Sequence, residues 1–110
     1  MERLVLPESL PKFQIGQSGI SARLFNGIDH GLPGVSLILN QTEPGDGVPW
    51  HLHTYDELFL IQDSRCVFTI GDNTVEAEVG QIVFAPATVP QPFLNPDPEL
   101  LHMVAVHAAA

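Results

Sequence analysis

Polar and apolar positions alternate most cleanly at the start of the last third of the chain. Thr74, Glu76 and Glu78 interleave with Val75, Ala77 and Val79, the period of a strand with one wet face. A second β-rich run, 65–71, precedes it. Between them Gly71-Asp72-Asn73 supplies residues that tolerate the positive φ of a hairpin turn. The pattern therefore predicts a hairpin. Runs of similar length predict further strands near 3–6, 12–15, 20–25, 34–41, 48–53, 57–62, 81–85, 91–94 and 100–107. Ten prolines and nine glycines interrupt the chain, so long helices are not expected. Five of the prolines fall within 86–98, which reads as loop and edge rather than central strand. Many short strands with frequent turns indicate an all-β sandwich or a small antiparallel β-barrel.

Two strands carry apolar residues on both sides. In 57–62, Glu57, Phe59 and Ile61 face one way and Leu58 and Leu60 the other. Such a strand is covered twice, either by the N-terminal strands or by a second subunit. In 100–107, His102 shares a face with Val104 and Val106, while His107 faces the opposite side.

The length of 110 residues fits one domain, 1–110. A hydrophobic fraction of 45% excludes intrinsic disorder. No apolar run approaches the roughly 20 residues of a helical membrane span. Thirteen acidic residues against four basic ones give a net charge of −9. Without a basic stripe, nucleic acids and anionic membranes are excluded as partners, and the acidity reads as solubility. Cys66, the single cysteine, can form neither an intrachain disulfide nor a Cys-based zinc site. A buried, inert thiol is the expectation for it. The N-terminus has no charged segment followed by a long apolar one, so a cytoplasmic location is expected.

The chemistry concentrates in the segment from Gly45 to Glu57, which contains His51-Leu52-His53-Thr54-Tyr55-Asp56-Glu57. On a strand, His51 and His53 point the same way, with Cα atoms roughly 6.6 Å apart at ~3.3 Å per residue. Two imidazoles can then converge on one ion at ~2.1 Å each. Glu57, after a short turn, can reach the same point from the next strand. Two histidines and one carboxylate form the facial set of non-haem Fe(II) sites, with positions left open for substrate and O₂. The plainer alternative is a pair of surface histidines beside a turn.

The spacing also resembles a family. Gly45, five residues, His51-x-His53, three residues and Glu57 is similar to the first motif of the cupins. That motif ends, after six further residues, with a Gly where this chain has Ser64. The second cupin motif is matched at Gly80, Pro86 and Asn95, while Thr88 stands for a Gly and Gln91 for the family's last metal-binding His. The resemblance implies a small antiparallel β-barrel of jelly-roll type with a metal in its interior or mouth. The implied ligands are His51, His53, Glu57 and Gln91. Three roles are open to Gln91: a fourth ligand, a hydrogen-bond partner of bound water or substrate, or the mark of a site that has lost its metal.

Two further residues are candidates for catalysis. His102 would lie in the cavity if its face of 100–107 points inward, although a satisfied rim histidine is the plainer reading. Tyr55 can share the face of Glu57 and donate a hydrogen bond, or simply pack. His107 and His30 are assigned no role. Phe68, Ile70, Phe84 and Phe93 are expected in the core or pocket wall.

The expected function is that of a metal-dependent enzyme, an oxygenase acting on a small organic molecule. Its cofactor would be one divalent transition-metal ion, Fe, Mn, Ni, Co, Cu or Zn. Two alternatives stand beside it. One is a module that binds a small ligand or metal without turnover; the other is an isomerase or lyase using the ion as a Lewis acid. The expected partners are a small-molecule substrate and a second copy of the chain in a homodimer.

Overall fold

A computed structural model of the chain describes residues 4–15, 19–49 and 52–108. Among these residues, ten strands form two antiparallel sheets. The strands are β1 (Lys12–Gln14), β2 (Ile20–Asn26), β3 (Ser36–Thr42), β4 (Gly47–Val48), β5 (Glu57–Asp63), β6 (Arg65–Ile70), β7 (Asn73–Glu78), β8 (Ile82–Ala85), β9 (Phe93–Leu94) and β10 (Leu101–His107). One sheet has six strands in the order β1-β2-β3-β10-β5-β8; the other has four in the order β4-β9-β6-β7. Among the described residues the hydrogen bonding is thus divided between two sheets, in the manner of the expected jelly roll.

The hairpin predicted from alternation forms as β6 and β7. Ile70 pairs with Asn73, leaving Gly71 and Asp72 as the turn, and Gly71 has φ 61°. Its positive φ is the reason a glycine suits that place. Two expected strands differ. Residues 4–6 form none, and a short 3-10 helix follows at Pro7–Ser9. Pro7, directly after that segment, has no N–H to donate to a ladder, so pairing does not extend through it. The strand expected over 48–53 ends at Val48, immediately before Pro49.

Alternation fixes which side chains meet between the sheets. Ile20, Phe59, Ile61, Val83, Leu101, Met103 and Ala105 point inward from the larger sheet, and Cys66, Phe68, Ala77 and Phe93 from the smaller. Phe59, Phe68 and Phe93 form a ring triad with centroids 4.8–6.3 Å apart, the tilted spacing aromatic pairs prefer. Burial pushes the Cys66 thiol up to about 12, so it is the inert core residue expected. Phe84 departs from expectation: it is 53% exposed on the outer face, because β8 turns Val83 and Ala85 inward instead.

Ser64 and Thr88 are the non-glycine residues with positive φ among those described, each at 65°. They occupy the two positions at which the cupin motifs carry Gly and this chain does not. The backbone has kept the left-handed turn while the sequence has given up the residue that adopts it freely. Asn95 and Gly45, from the two motif regions, also meet. The Gly45 N–H donates to the Asn95 carbonyl at 3.0 Å, and the Asn95 side-chain amide donates to the carbonyls of Thr42 and Glu99 at 3.0 and 2.8 Å.

Candidate metal centre

Glu57 is the first residue of β5 and His107 the last of β10, and the register sets them directly opposite each other. Both point between the sheets, at 3% and 7% exposure. His53 and Tyr55 reach the same place from the loop between β4 and β5. That loop is tied down from two sides. Thr88 N–H donates to the His53 carbonyl at 2.7 Å, Ala87 N–H to the Asp56 carboxylate at 2.9 Å, and Ala108 N–H to the Asp56 carbonyl at 3.2 Å. The turn of the second motif therefore holds the loop of the first.

His53 Nε2 lies 3.4 Å from Glu57 Oε1, and His107 Nε2 lies 3.1 Å from Glu57 Oε2. The three ligand atoms all fall within 4.8 Å of one another. Ligand atoms ~2.1 Å from a shared ion stand about 3.0 Å apart at a right angle and about 3.4 Å apart at the tetrahedral angle. The two imidazole–carboxylate contacts, 3.4 and 3.1 Å, fall in that range, each to a different oxygen of Glu57. Orientation agrees as well: His107 Nε2, although buried and close to the carboxylate, makes no hydrogen bond. Two atoms turned toward a common point, rather than toward each other, have this geometry.

Electrostatics favour a cation here. A buried carboxylate is costly unless compensated, and among the described residues only His53 and His107 form ion-pair contacts with Glu57. A divalent ion or imidazolium would supply the missing charge. The donor set, two imidazoles and a carboxylate, suits a first-row transition ion.

Neighbouring groups hold these side chains in place. Tyr55 Oη is 2.8 Å from His107 Nδ1. With Nε2 on an ion, Nδ1 carries the proton and donates to the phenol oxygen; without one, the phenol can donate instead. Burial, and secondarily the Glu57 charge, pushes the Tyr55 hydroxyl above its ordinary value and keeps it protonated. The rings of His53, Tyr55 and His107 pack with centroids 4.9–5.4 Å apart.

Gln91 is 2% exposed, and its amide donates to Glu57 Oε1 at 3.0 Å. Its own Oε1 is buried without a partner. The side chain thus touches the Glu57 carboxylate directly and offers a spare acceptor. His51 lies outside the described residues. His102 does not join the cluster. β10 turns Leu101, Met103, Ala105 and His107 inward, which puts His102 on the outer face. The condition for placing His102 in the cavity is not met, and His107, which the sequence assigned no role, is the histidine beside Glu57. Alternation in 101–107 could not choose between the faces, because both carry apolar residues; the cross-strand register with Glu57 settles the matter.

The family model described as Cupin domain matches residues 39–107. No curated protein matches the chain significantly. Among solved structures, an RmlC-like cupin from Shewanella frigidimarina is similar with a TM-score of 0.81 at 14% identity, over 100% of this chain and 93% of that one. The polyketide cyclase RemF from Streptomyces resistomycificus is similar with a TM-score of 0.81 at 17% identity, over 97% and 79%. The iron(II) form of HppE gives 0.80 at 12% identity, over 94% of this chain and 58% of that one. Likeness at these identities concerns the fold. With the matched span reaching from β3 to the end of β10, the chain belongs to the cupin family.

Proposed function

We propose that the chain binds one divalent transition-metal ion through His53, Glu57 and His107 and uses it in an oxygenase-type reaction on a small organic molecule. The observation that carries this reading is the buried Glu57 carboxylate, with an imidazole nitrogen at each oxygen and at ion-sharing distance. His51, two residues before His53 in the motif, is a further candidate ligand. Three protein ligands leave coordination positions open, as non-haem oxygenase sites require. The donor set does not choose among Fe, Mn, Ni, Co, Cu and Zn. When bound, the ion supplies Lewis acidity and, if redox-active, electrons for oxygen chemistry. The chain's own residues do the rest. Gln91 offers its unpartnered Oε1 to a substrate hydroxyl or amine, and Tyr55 orients His107. The His53 side chain is 30% exposed, so access is from its side.

O₂ consumption by metal-loaded protein, with a panel of β-diketones, catechols and flavonols, tests this. Uptake that depends on metal and disappears in Glu57→Ala supports it. No uptake with any compound removes the oxygenase reading. A second reading, Lewis-acid isomerase or lyase chemistry or binding without turnover, draws on the neutral Gln91 in the position of a family histidine and on the likeness to a cyclase.

The protein is further proposed to act as a homodimer in the cytoplasm. Leu58, Ile82 and Phe84 are 38%, 62% and 53% exposed on the outer face of β5 and β8, where Leu58 pairs with Phe84 and Leu60 with Ile82. Light scattering should give a dimer for the wild type and a monomer for Phe84→Asp.

A further inference from the structure

The larger sheet carries a concave feature on the face turned away from the metal centre. It is a cleft of about 350 Å³ that Lys12, Ser21, Arg23, Gln41, Gln62 and His102 help to line. Ser21, Gln41 and His102 are successive cross-strand partners on β2, β3 and β10, so they form one polar row. Gln62 is the extra residue of a bulge, since Ile61 pairs with Met103 and Asp63 with His102. Bulges re-aim side chains in this way.

Three features of the cleft would be complemented by a bound anion. Lys12 and Arg23 are direct cross-strand partners, a like-charge pairing that destabilises a sheet. In a chain with 13 acidic residues, no carboxylate lines the cleft and no described residue forms an ion pair with either cation. The remaining described cation, Arg65, is by contrast paired with Asp97 and Glu76. Finally, His102 Nε2 is buried without a hydrogen-bond partner. Arg23 is preset by its Nη1, which donates to the Leu10 carbonyl at 3.1 Å and the Glu8 carbonyl at 3.4 Å. Its Nε and Nη2 are then available for the fork geometry that matches an oxyanion.

We infer that this cleft is a binding site for a small anion bearing a carboxylate or phosphate group. Lys12 and Arg23 supply the charge, His102 a ring nitrogen, and Ser21, Gln41 and Gln62 the neutral hydrogen bonds. The volume suits a ligand at the small end of the usual range. The site is independent of the metal centre, which lies on the opposite face of β10.

Calorimetric titration of the full chain with inorganic phosphate and, separately, succinate tests the inference, with ionic strength held constant by chloride. At least one anion should bind with a Kd of ~1 mM or tighter. Lys12→Gln, at an exposed position that does not endanger folding, should weaken it about tenfold. His53→Ala, which alters the metal centre, should leave it unchanged. Binding of one anion and not the other assigns the site to phosphate or to carboxylate. The inference is overturned if neither binds, if Lys12→Gln binds as well as the wild type, or if His53→Ala abolishes binding and so places the anion on the metal.

Discussion

Tyr55→Phe removes a single oxygen and should lower metal affinity. The hydroxyl lies 2.8 Å from Nδ1 of His107 and fixes the direction in which the other ring nitrogen points. Nothing else need move, because the Phe ring can keep the packing against His53 and His107. Loss of a partner behind a metal-binding imidazole costs ~10–100-fold in affinity, equivalent to about 1.4–2.7 kcal/mol. In metal-free protein the same change removes one partly buried hydrogen bond, worth about 0.5–1.5 kcal/mol of stability. Competition with a chromogenic chelator, using Co(II) or Zn(II), measures the first quantity, and urea unfolding the second. An affinity within twofold of the wild type would refute the reasoning, since His107 would then not need Tyr55 to reach the ion, or would not bind it.

Gln91→Leu should destabilise metal-free protein by about 1.5–3 kcal/mol, because a buried carboxylate loses the amide that donates to it. Metal should offset part of this loss, which urea melts with and without ion will show. Thr88→Gly should be more stable than Thr88→Ala by about 1 kcal/mol, since only glycine is free of the left-handed strain at φ 65°; equal stabilities in thermal melts would show that the turn carries none. The Arg65 guanidinium, with help from Ser64, holds the Asp97 carboxyl below its ordinary value. A carboxyl lowered on folding stabilises the protein above its unfolded value and loses that contribution as pH falls through the folded one. Arg65→Gln should therefore shift the Asp97 carboxyl upward in an NMR titration and flatten the acid limb of the stability profile.

The legibility of this chain varied with how many faces each segment had to choose between. The β6–β7 hairpin was readable because polar and apolar positions alternate and a glycine marks the turn. Glu57 was readable as the start of a strand, and the motif spacing placed it beside His53. The sheet order was not readable, since antiparallel strands from distant parts of the chain meet at β10. In that strand both faces are apolar, so parity alone could not say whether His102 or His107 pointed inward. Pairing with Glu57, 50 residues earlier in the chain, decides it. Tyr55 was visible as a possible neighbour of Glu57, but its bond is to His107, a partner that only the folded register supplies.

On the proposed reading, the family motif has an altered ligand set. Gln91 holds the ligand carboxylate from the place of the usual last histidine, and His107 brings an imidazole to the centre from the end of β10. The most direct test is the metal content of purified protein after reconstitution, compared among the wild type, Glu57→Ala and His107→Ala. The account predicts about one divalent transition-metal ion per chain in the wild type and a large loss of bound metal in both variants. A wild type that binds no ion, or a His107→Ala protein that retains the full complement at unchanged affinity, would contradict it.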